Sequence, residues 1–519
     1  MFADNIQVLL DARLSTTEAY GAALTLLLVL YCLSWMVYNL YFHPLSTYPG
    51  PFWARSSRLW YCYTLIRGTL PFSVYHMHLE YGDIVRIAPD ELAYNDPRAW
   101  KDIYGHRSGK AEIPKDPNFY LNTAAGHLSI IAAPSERHGT LRRLLSHGFS
   151  EKALRDQEPT LQYYADLFIR RLRDQSVTDE RIDIVKWYNF FTFDVIGDLA
   201  FGESFHCLET GQNHPWIEFI FQIIVQGTLA RATDYFPFVK TILLLFIPKS
   251  LRDGLATHIA LMKSKALHRL NMKTDRADFM TRMAAPNSGI SEKEFIASAD
   301  TILLGGSETT ATLLSGVTYY LLQNPRTLKI LVEEIRSKFT SEDQIDVVGV
   351  NTLDYMLACL NEAFRLYPPV PGALPRRTVV GDTLAGEYVP PNTTVAIYQW
   401  AMYRSPKYFS RPEHFIPEHW TEDQKFQNDK RAVVMPFSNG PRNCVGRNLA
   451  YVEMRLLLAR LLFGFDIEAT PEVQGWLKQK VYLLWNKPAL WIRLVPREVK
   501  FRKQVDDMPS LAAFNKLYS

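Results

Sequence analysis

The residues best placed to do chemistry lie in ten positions near the C-terminal end, Phe437-Ser438-Asn439-Gly440-Pro441-Arg442-Asn443-Cys444-Val445-Gly446. One cysteine sits in a turn-rich loop with two glycines and an arginine, ahead of an apolar run at helical spacing over 449–465. This arrangement would present a single thiolate ligand to a metal. Gly440 and Gly446 lack Cβ, so the backbone can bend there and approach a flat cofactor closely. Loop N–H groups donating to the sulfur would hold it as thiolate. Arg442, two residues before the sulfur, is placed to pair with an anionic group. A lone intracellular cysteine is ordinarily an inert buried residue; glycines and arginine at these offsets set Cys444 apart.

A second constellation is Gly305-Gly306-Ser307-Glu308-Thr309-Thr310. Ser291 and Glu294 form a capping-box pair, and the helix they open should run to about 324, where Pro325 stops it. Two glycines inside a long helix cost about 1 kcal/mol each relative to alanine. A kink would explain them, and so would a flat ligand packed against the helix. The Thr309 hydroxyl can reach the Gly305 carbonyl four residues back and open the helix there. Glu362 and Arg365 lie three apart on a helix over 353–366 that Pro368-Pro369 ends; on a surface such a pair is worth under about 0.5 kcal/mol. A basic helix over 136–147 places His138 and Arg142 on one face.

Together these motifs resemble the cytochrome P-450 heme-thiolate monooxygenases of the microsomal class. The cysteine loop matches Phe-x-x-Gly-x-Arg-x-Cys-x-Gly at every fixed position, and 305–310 match [Ala/Gly]-Gly-x-[Asp/Glu]-Thr-[Thr/Ser]. Glu362 to Arg365 match Glu-x-x-Arg. Two departures stand out: His138 replaces the tryptophan of Trp-x-x-x-Arg, and His419 replaces the arginine of Pro-Glu-Arg-Phe within Phe415-Ile416-Pro417-Glu418-His419-Trp420.

The resemblance implies a mainly α fold with small β-sheets. It places heme b (iron protoporphyrin IX) between the Thr309 helix and the Cys444 loop, with Cys444 as axial iron ligand. Phe437, Gly440, Arg442, Gly446 and Gly305 would contact the cofactor, and Arg142, His138 and Arg376 would meet its propionates. Thr309 would be the hydroxyl beside the dioxygen site and Glu308 the acid of its proton relay. Glu362, Arg365 and His419 would form a buried structural triad, whose breakage costs several kcal/mol. Residues 370–374 would line the pocket. The reaction implied is insertion of one oxygen atom from O2 into an apolar organic substrate, by hydroxylation or epoxidation, with electrons from an NADPH-dependent flavoprotein reductase. The closest kin in character are fungal secondary-metabolite enzymes acting on terpenoids or polyketides, the trichothecene hydroxylase type among them. A heme-thiolate isomerase or dehydratase, needing neither O2 nor reductase, is the alternative; Glu308-Thr309 argues against it. A membrane-tethered heme sensor or carrier is a second.

The elements that must position these residues follow from the rest of the chain. Its 519 residues carry five scattered cysteines and a formal net charge of +3. That pattern argues against a disulfide framework and gives no basis for a nucleic-acid partner. Residues 19–54 contain no Asp, Glu, Lys or Arg, and roughly 20 apolar residues suffice to cross a bilayer. The charges before this span are Asp4, Asp11 and Glu18 against Arg13, and Arg55 and Arg58 follow it. This predicts a single-pass membrane protein with a cytosolic catalytic domain; the resemblance places it in the endoplasmic reticulum. The expected organisation is a short segment over 1–19, an anchor over 20–40, a proline-rich hinge over 41–54, the catalytic domain over 55–497 and a polar tail over 498–519.

Within the catalytic domain, strands are expected over 84–88 and 91–94 around Pro89-Asp90, and a long loop over 104–134 that roofs the pocket. Helices are expected over 151–173 and 184–201. The apolar stretch 216–251 is too broken for a second span, and in membrane-bound family members its counterpart dips into lipid. A hairpin over 481–491, turning at Asn486-Lys487-Pro488, would point at the substrate. Arg143, Lys425, Lys430 and Arg431 could steer an acidic reductase.

Overall fold

A helix opens the structure, which is a computed structural model describing residues 16–120, 129–245, 249–272 and 278–498. The expected tail beyond Glu498, the first fifteen residues and part of the loop over 104–134 lie outside the described residues. The first helix covers Thr16–Val37 and runs on as a π turn over Tyr38–Phe42. Its apolar portion, Glu18–Phe42, is 25 residues long and exposed over most of its length, with Asn39 and Leu40 buried at its end. That is long enough to cross a bilayer. Trp35 stacks on Tyr38 near its end.

The proline-rich segment is seated on the body. Leu45 is fully buried. The Arg86 N–H donates to the Pro49 carbonyl at 2.8 Å, and a Cβ on Gly50 would fall 2.4 Å from the Arg86 carbonyl oxygen. The expected strands are present as Ile84–Ala88 and Glu91–Tyr94. They join a four-stranded sheet with Thr394–Ile397, parallel to the second strand, and with Arg376–Arg377 at the far edge. Pairing of Arg376 with Val395 fixes where that arginine's side chain starts.

The capping box is formed in both halves: the Glu294 N–H donates to Ser291 Oγ at 3.3 Å and the Ser291 N–H to Glu294 Oε2 at 3.0 Å. The helix it opens, Glu292–Gln323, packs along Ile184–Phe201 and against Arg447–Gly464. Gly306 is explained by the first contact, since a Cβ there would lie 2.5 Å from Ile196 Cδ1. The helix expected over 151–173 is two, Glu151–Asp156 and Glu158–Thr178. Pro159 has no N–H to continue the helical ladder across the junction.

The apolar stretch 216–251 lies in helices Pro215–Asp234, Pro237–Leu244 and the start of Lys249–Asn271. Phe238, Ile242, Leu243 and Leu245 are exposed. The first of these helices packs on Leu59–Arg67, which exposes Leu59, Tyr63 and Ile66. Near the C-terminus the expected turn is displaced. Lys480–Val481 pairs with Trp485–Asn486, so the chain reverses over 482–484, where Leu483 has φ +121°. Lys487-Pro488 leaves that hairpin instead of forming its tip, because Pro488 cannot donate to a ladder. Trp491–Pro496 then pairs with Phe465–Ala469 and Ile182–Asp183.

Candidate active site

The cysteine loop is a 3-10 turn, Gly440–Arg442, leading through Cys444 into the helix Arg447–Gly464. Gly440 has φ +72°, and a Cβ there would lie 2.0 Å from the Tyr104 carbonyl oxygen. Neighbouring backbone therefore constrains this position. Gly446 differs: an added Cβ would meet Cys444 Sγ at 3.9 Å and the Phe149 ring at 3.7 Å, ordinary contacts. The Cys444 N–H donates to the Phe437 carbonyl at 2.8 Å. The Phe437 ring packs on Phe364 and Tyr451. One side of Cys444 is open. Burial of the rest raises the thiol pKa, while the Gly446 N–H and the Arg142 charge pull toward thiolate.

Five basic side chains gather beside this loop. Arg442 pairs with Glu112 at 2.7 Å and donates to the Ala133 carbonyl at 2.7 Å. Arg376 donates to the Ile113 carbonyl at 3.0 Å, and its buried Nε has no partner among the described residues. Arg142 caps the carbonyl and side-chain oxygens of Asn443. Lys115 Nζ donates to the Ile131 carbonyl at 2.6 Å. Burial, then the charges of Arg376 and Arg442, lower Lys115 to about 6. Burial, then Arg442, Lys115 and Arg142, lower the buried His138 to about 4. Glu112 is the carboxylate among them: burial would raise its pKa, but Arg442 outweighs this and holds it below its usual value.

Five basic side chains gathered around one carboxylate, two of them lowered in pKa by burial and then by their neighbours' charge, mark a place suited to further negative charge. Two propionates supply it, so the cluster and the cysteine loop fit heme b. Sequence reading found Arg142, His138, Arg376 and Arg442. It missed Glu112 and Lys115, which lie in an irregular loop without periodicity. Their signal was two opposite charges flanking Pro114.

On the central helix, the Thr309 hydroxyl donates to the Gly305 carbonyl at 2.6 Å. Gly305 is exposed and a Cβ there would meet nothing within 4 Å. Gly305 thus faces open space, whereas Gly306 serves packing. Glu308 is buried and ion-paired with Lys487. Thr312 donates to Glu308 Oε1 at 3.2 Å and accepts from Lys487 Nζ at 2.7 Å. Burial raises the Glu308 pKa; Lys487 opposes the rise without cancelling it. Lys487 was read only as part of a turn, and nothing local in the sequence pairs it with a residue 179 positions away.

Glu362, Arg365 and His419 lie together, all fully buried. Arg365 reaches Glu362 through Nε at 2.9 Å and Nη2 at 2.7 Å, and His419 Nδ1 is 3.0 Å from Glu362 Oε1. His419 Nε2 faces the Ser410 carbonyl at 3.0 Å. His419 thus has an oxygen within hydrogen-bond reach of each ring nitrogen. Of the charges considered for reductase docking, Arg143, Lys425 and Lys430 are exposed, whereas Arg431 is half-buried and donates to the Thr421 carbonyl.

Residues 48–492 match the family model for Cytochrome P450. The chain is 44% identical over 493 residues to cytochrome P450 monooxygenase tpeC of Talaromyces stipitatus, covering 93% of this chain and 96% of that protein. It is 44% identical over 481 residues to averantin hydroxylase of Dothistroma septosporum, covering 91% of each. It is 41% identical over 471 residues to trichothecene C-15 hydroxylase of Fusarium sporotrichioides, covering 89% of this chain and 95% of that protein. A match running from the proline-rich segment to the last paired strand spans the whole body, and the chain belongs to the cytochrome P450 family of heme b-dependent monooxygenases, which are oxidoreductases.

Proposed function

We propose that this enzyme hydroxylates an apolar terpenoid or polyketide skeleton in a fungal secondary-metabolite pathway. The relatives named above, a monooxygenase and two hydroxylases, support this, and they disfavour an isomerase or dehydratase. The observation that carries the reading is the Thr309–Gly305 hydrogen bond, placed on a helix face open beside Gly305.

When bound, heme b supplies dioxygen activation and oxygen transfer. Cys444 would hold its iron, with the Gly446 N–H favouring thiolate. Arg442, Arg376, Arg142, Lys115 and His138 would hold its carboxylates. Thr309 donates its hydrogen to the Gly305 carbonyl, which leaves its oxygen lone pairs to accept a proton-bearing partner from the open side. Glu308, buried on the same helix, is the acid from which a proton would come.

An NADPH-dependent flavoprotein reductase is the electron donor in this reading, docking where Arg143, Lys425 and Lys430 are exposed. The apolar helix over 20–40 is the anchor, with the body on the cytosolic side of the endoplasmic reticulum and exposed Phe238, Ile242, Leu243 and Leu245 against lipid. Residues 55–497 form the catalytic domain.

The test uses purified protein with reductase. The parent should show the red-shifted carbon-monoxide band of thiolate ligation and consume NADPH with product formation; Cys444→Ser should lose that band. Comparing metabolites of a deletion strain with its parent identifies the substrate. Turnover without NADPH or O2 would instead establish the isomerase reading.

A further inference from the structure

We propose that Lys487 is a positioning residue for proton delivery, holding the Glu308 carboxylate on the Thr312 side of the central helix and away from Thr309. The proposal rests on the relay reading of Glu308 and Thr309 above and adds to it the group that governs the acid.

The geometry is a closed triangle. Lys487 Nζ touches Glu308 Oε1 and lies 2.7 Å from Thr312 Oγ1, which donates back to Glu308 Oε1 at 3.2 Å. Both charged side chains are buried, at 2% and 1% exposure. A buried pair survives only where mutual attraction and added hydrogen bonds offset the cost of leaving water; Thr312 provides those bonds. Glu308 and Thr312 are one helical turn apart and share a face, whereas Thr309 is rotated from Glu308 by about 100°. The Thr309 hydroxyl is committed to Gly305, one turn toward the N-terminus, whereas Glu308 is held toward Thr312, one turn toward the C-terminus. Acid and hydroxyl are therefore held apart in this state.

The position of Lys487 is itself built. Two residues before it, Trp485 Nε1 donates to the Pro368 carbonyl at 2.8 Å and the indole stacks on Tyr367 at 4.3 Å. Three residues after it, the Leu490 N–H donates to Asp183 Oδ1 at 3.1 Å. Tyr367, the other titratable group close enough to feel Glu308, has its hydroxyl bound to Gln479 Oε1 at 2.7 Å. Glu308 Oε2 is buried and has no hydrogen-bond partner among the described residues. One oxygen is thus clamped and the other is left to take a proton. With Lys487 present, attraction favours the carboxylate; without it, only the Thr312 hydrogen bond opposes burial, which favours the neutral acid.

The experiment uses the full-length holoenzyme and four variants: Lys487→Met, Lys487→Arg, Glu308→Gln, and the double variant Glu308→Gln/Lys487→Met. Infrared difference spectra of the resting protein read the carboxylic-acid C=O stretch of Glu308. Product formed per NADPH reads delivery. Lys487→Met should show at neutral pH an acid band that is missing from the parent and from the double variant, and a coupling loss of roughly tenfold or more, because the acid, though present, is no longer held in place for delivery. Lys487→Arg should stay within about twofold of the parent, since its charge can hold the same carboxylate.

A heme-loaded Lys487→Met without the new band, or with parental coupling, overturns the proposal. If Lys487→Met fails to load heme while the double variant loads it, the stranded Glu308 is the cause and the pairing stands. If neither loads, Lys487 serves the fold independently of Glu308 and the proposal fails. Parental coupling in Glu308→Gln sinks the relay reading instead, and the infrared band still reports whether Lys487 held the carboxylate.

Discussion

The indole N–H of Trp420 donates to Glu362 Oε2 at 2.9 Å, on the same buried carboxylate that Arg365 grips with two nitrogens. The Ile416 N–H and His419 Nδ1 complete the shell around it, at 2.9 and 3.0 Å. Burial would raise the Glu362 pKa, but Arg365 and His419 outweigh it and hold it at about 2. Arg365→Ala leaves this carboxylate buried without its main partner, at roughly 3–5 kcal/mol, and the protein should fail to retain heme. A soluble, heme-loaded Arg365→Ala that merely turns over slowly would contradict a structural role. Trp420→Phe removes one bond to a charged group and should cost about 1.5–3 kcal/mol, read as a lowered unfolding midpoint with heme retained.

The same carboxylate sets an acid limit. Its folded value lies below the 4.5 of the free side chain, so its contribution is complete above about pH 4.5 and disappears as pH falls toward 2. The shift corresponds to about 3 kcal/mol. Heme release on acidification should begin at higher pH in Trp420→Phe than in the parent. An identical acid midpoint would remove Glu362 from the explanation.

Glu453 behaves oppositely. It is fully buried on the helix that follows Cys444, and burial lifts it to about 8, with the Thr310 hydroxyl opposing. Below about pH 4.5 folded and unfolded chains both hold the proton; between there and about 8 only the folded chain does. Stability should therefore fall by about 1.4 kcal/mol per pH unit from this group. Glu453→Gln should gain about 3 kcal/mol on the parent between about pH 5 and pH 7.5, measured as diverging unfolding midpoints. A gap independent of pH would refute it.

Thr309→Ala should keep the heme spectrum and consume NADPH while diverting much of it to hydrogen peroxide, because the hydroxyl held at Gly305 is lost. General acid–base contributions of this kind are about 10²–10⁴-fold. Thr310, buried on the Glu453 side, should matter far less to coupling. Equal product per NADPH in Thr309→Ala and parent would take Thr309 out of the mechanism.

Removal of residues 1–37 should release much of the protein from membranes with heme intact, some attachment persisting through exposed Phe238, Ile242, Leu243 and Leu245. Removal of residues 1–41 should cost stability as well. Asn39 is buried, its side chain donates to the Ser56 carbonyl at 2.8 Å, and its own carbonyl accepts from buried Arg86 at 2.8 Å. Equal heme retention by the two truncations would show that Asn39 is not part of the body.

Local sequence alone determined the reactive pieces. Cys444 within its glycine–arginine loop, the Ser291–Glu294 cap, the Thr309–Gly305 bond and the strands at 84–88 and 91–94 all depend on neighbours a few positions away, and short-range geometry is written in spacing. Tertiary structure decided what each piece meets. Gly440 answers to the backbone at Tyr104, Gly306 to Ile196, Glu362 to Trp420 and Glu308 to Lys487. Lys115 and Glu112 join the arginines only because an irregular loop folds over them. Burial and long-range charge set the balance of each buried acid and base, and neither is a property of spacing along the chain.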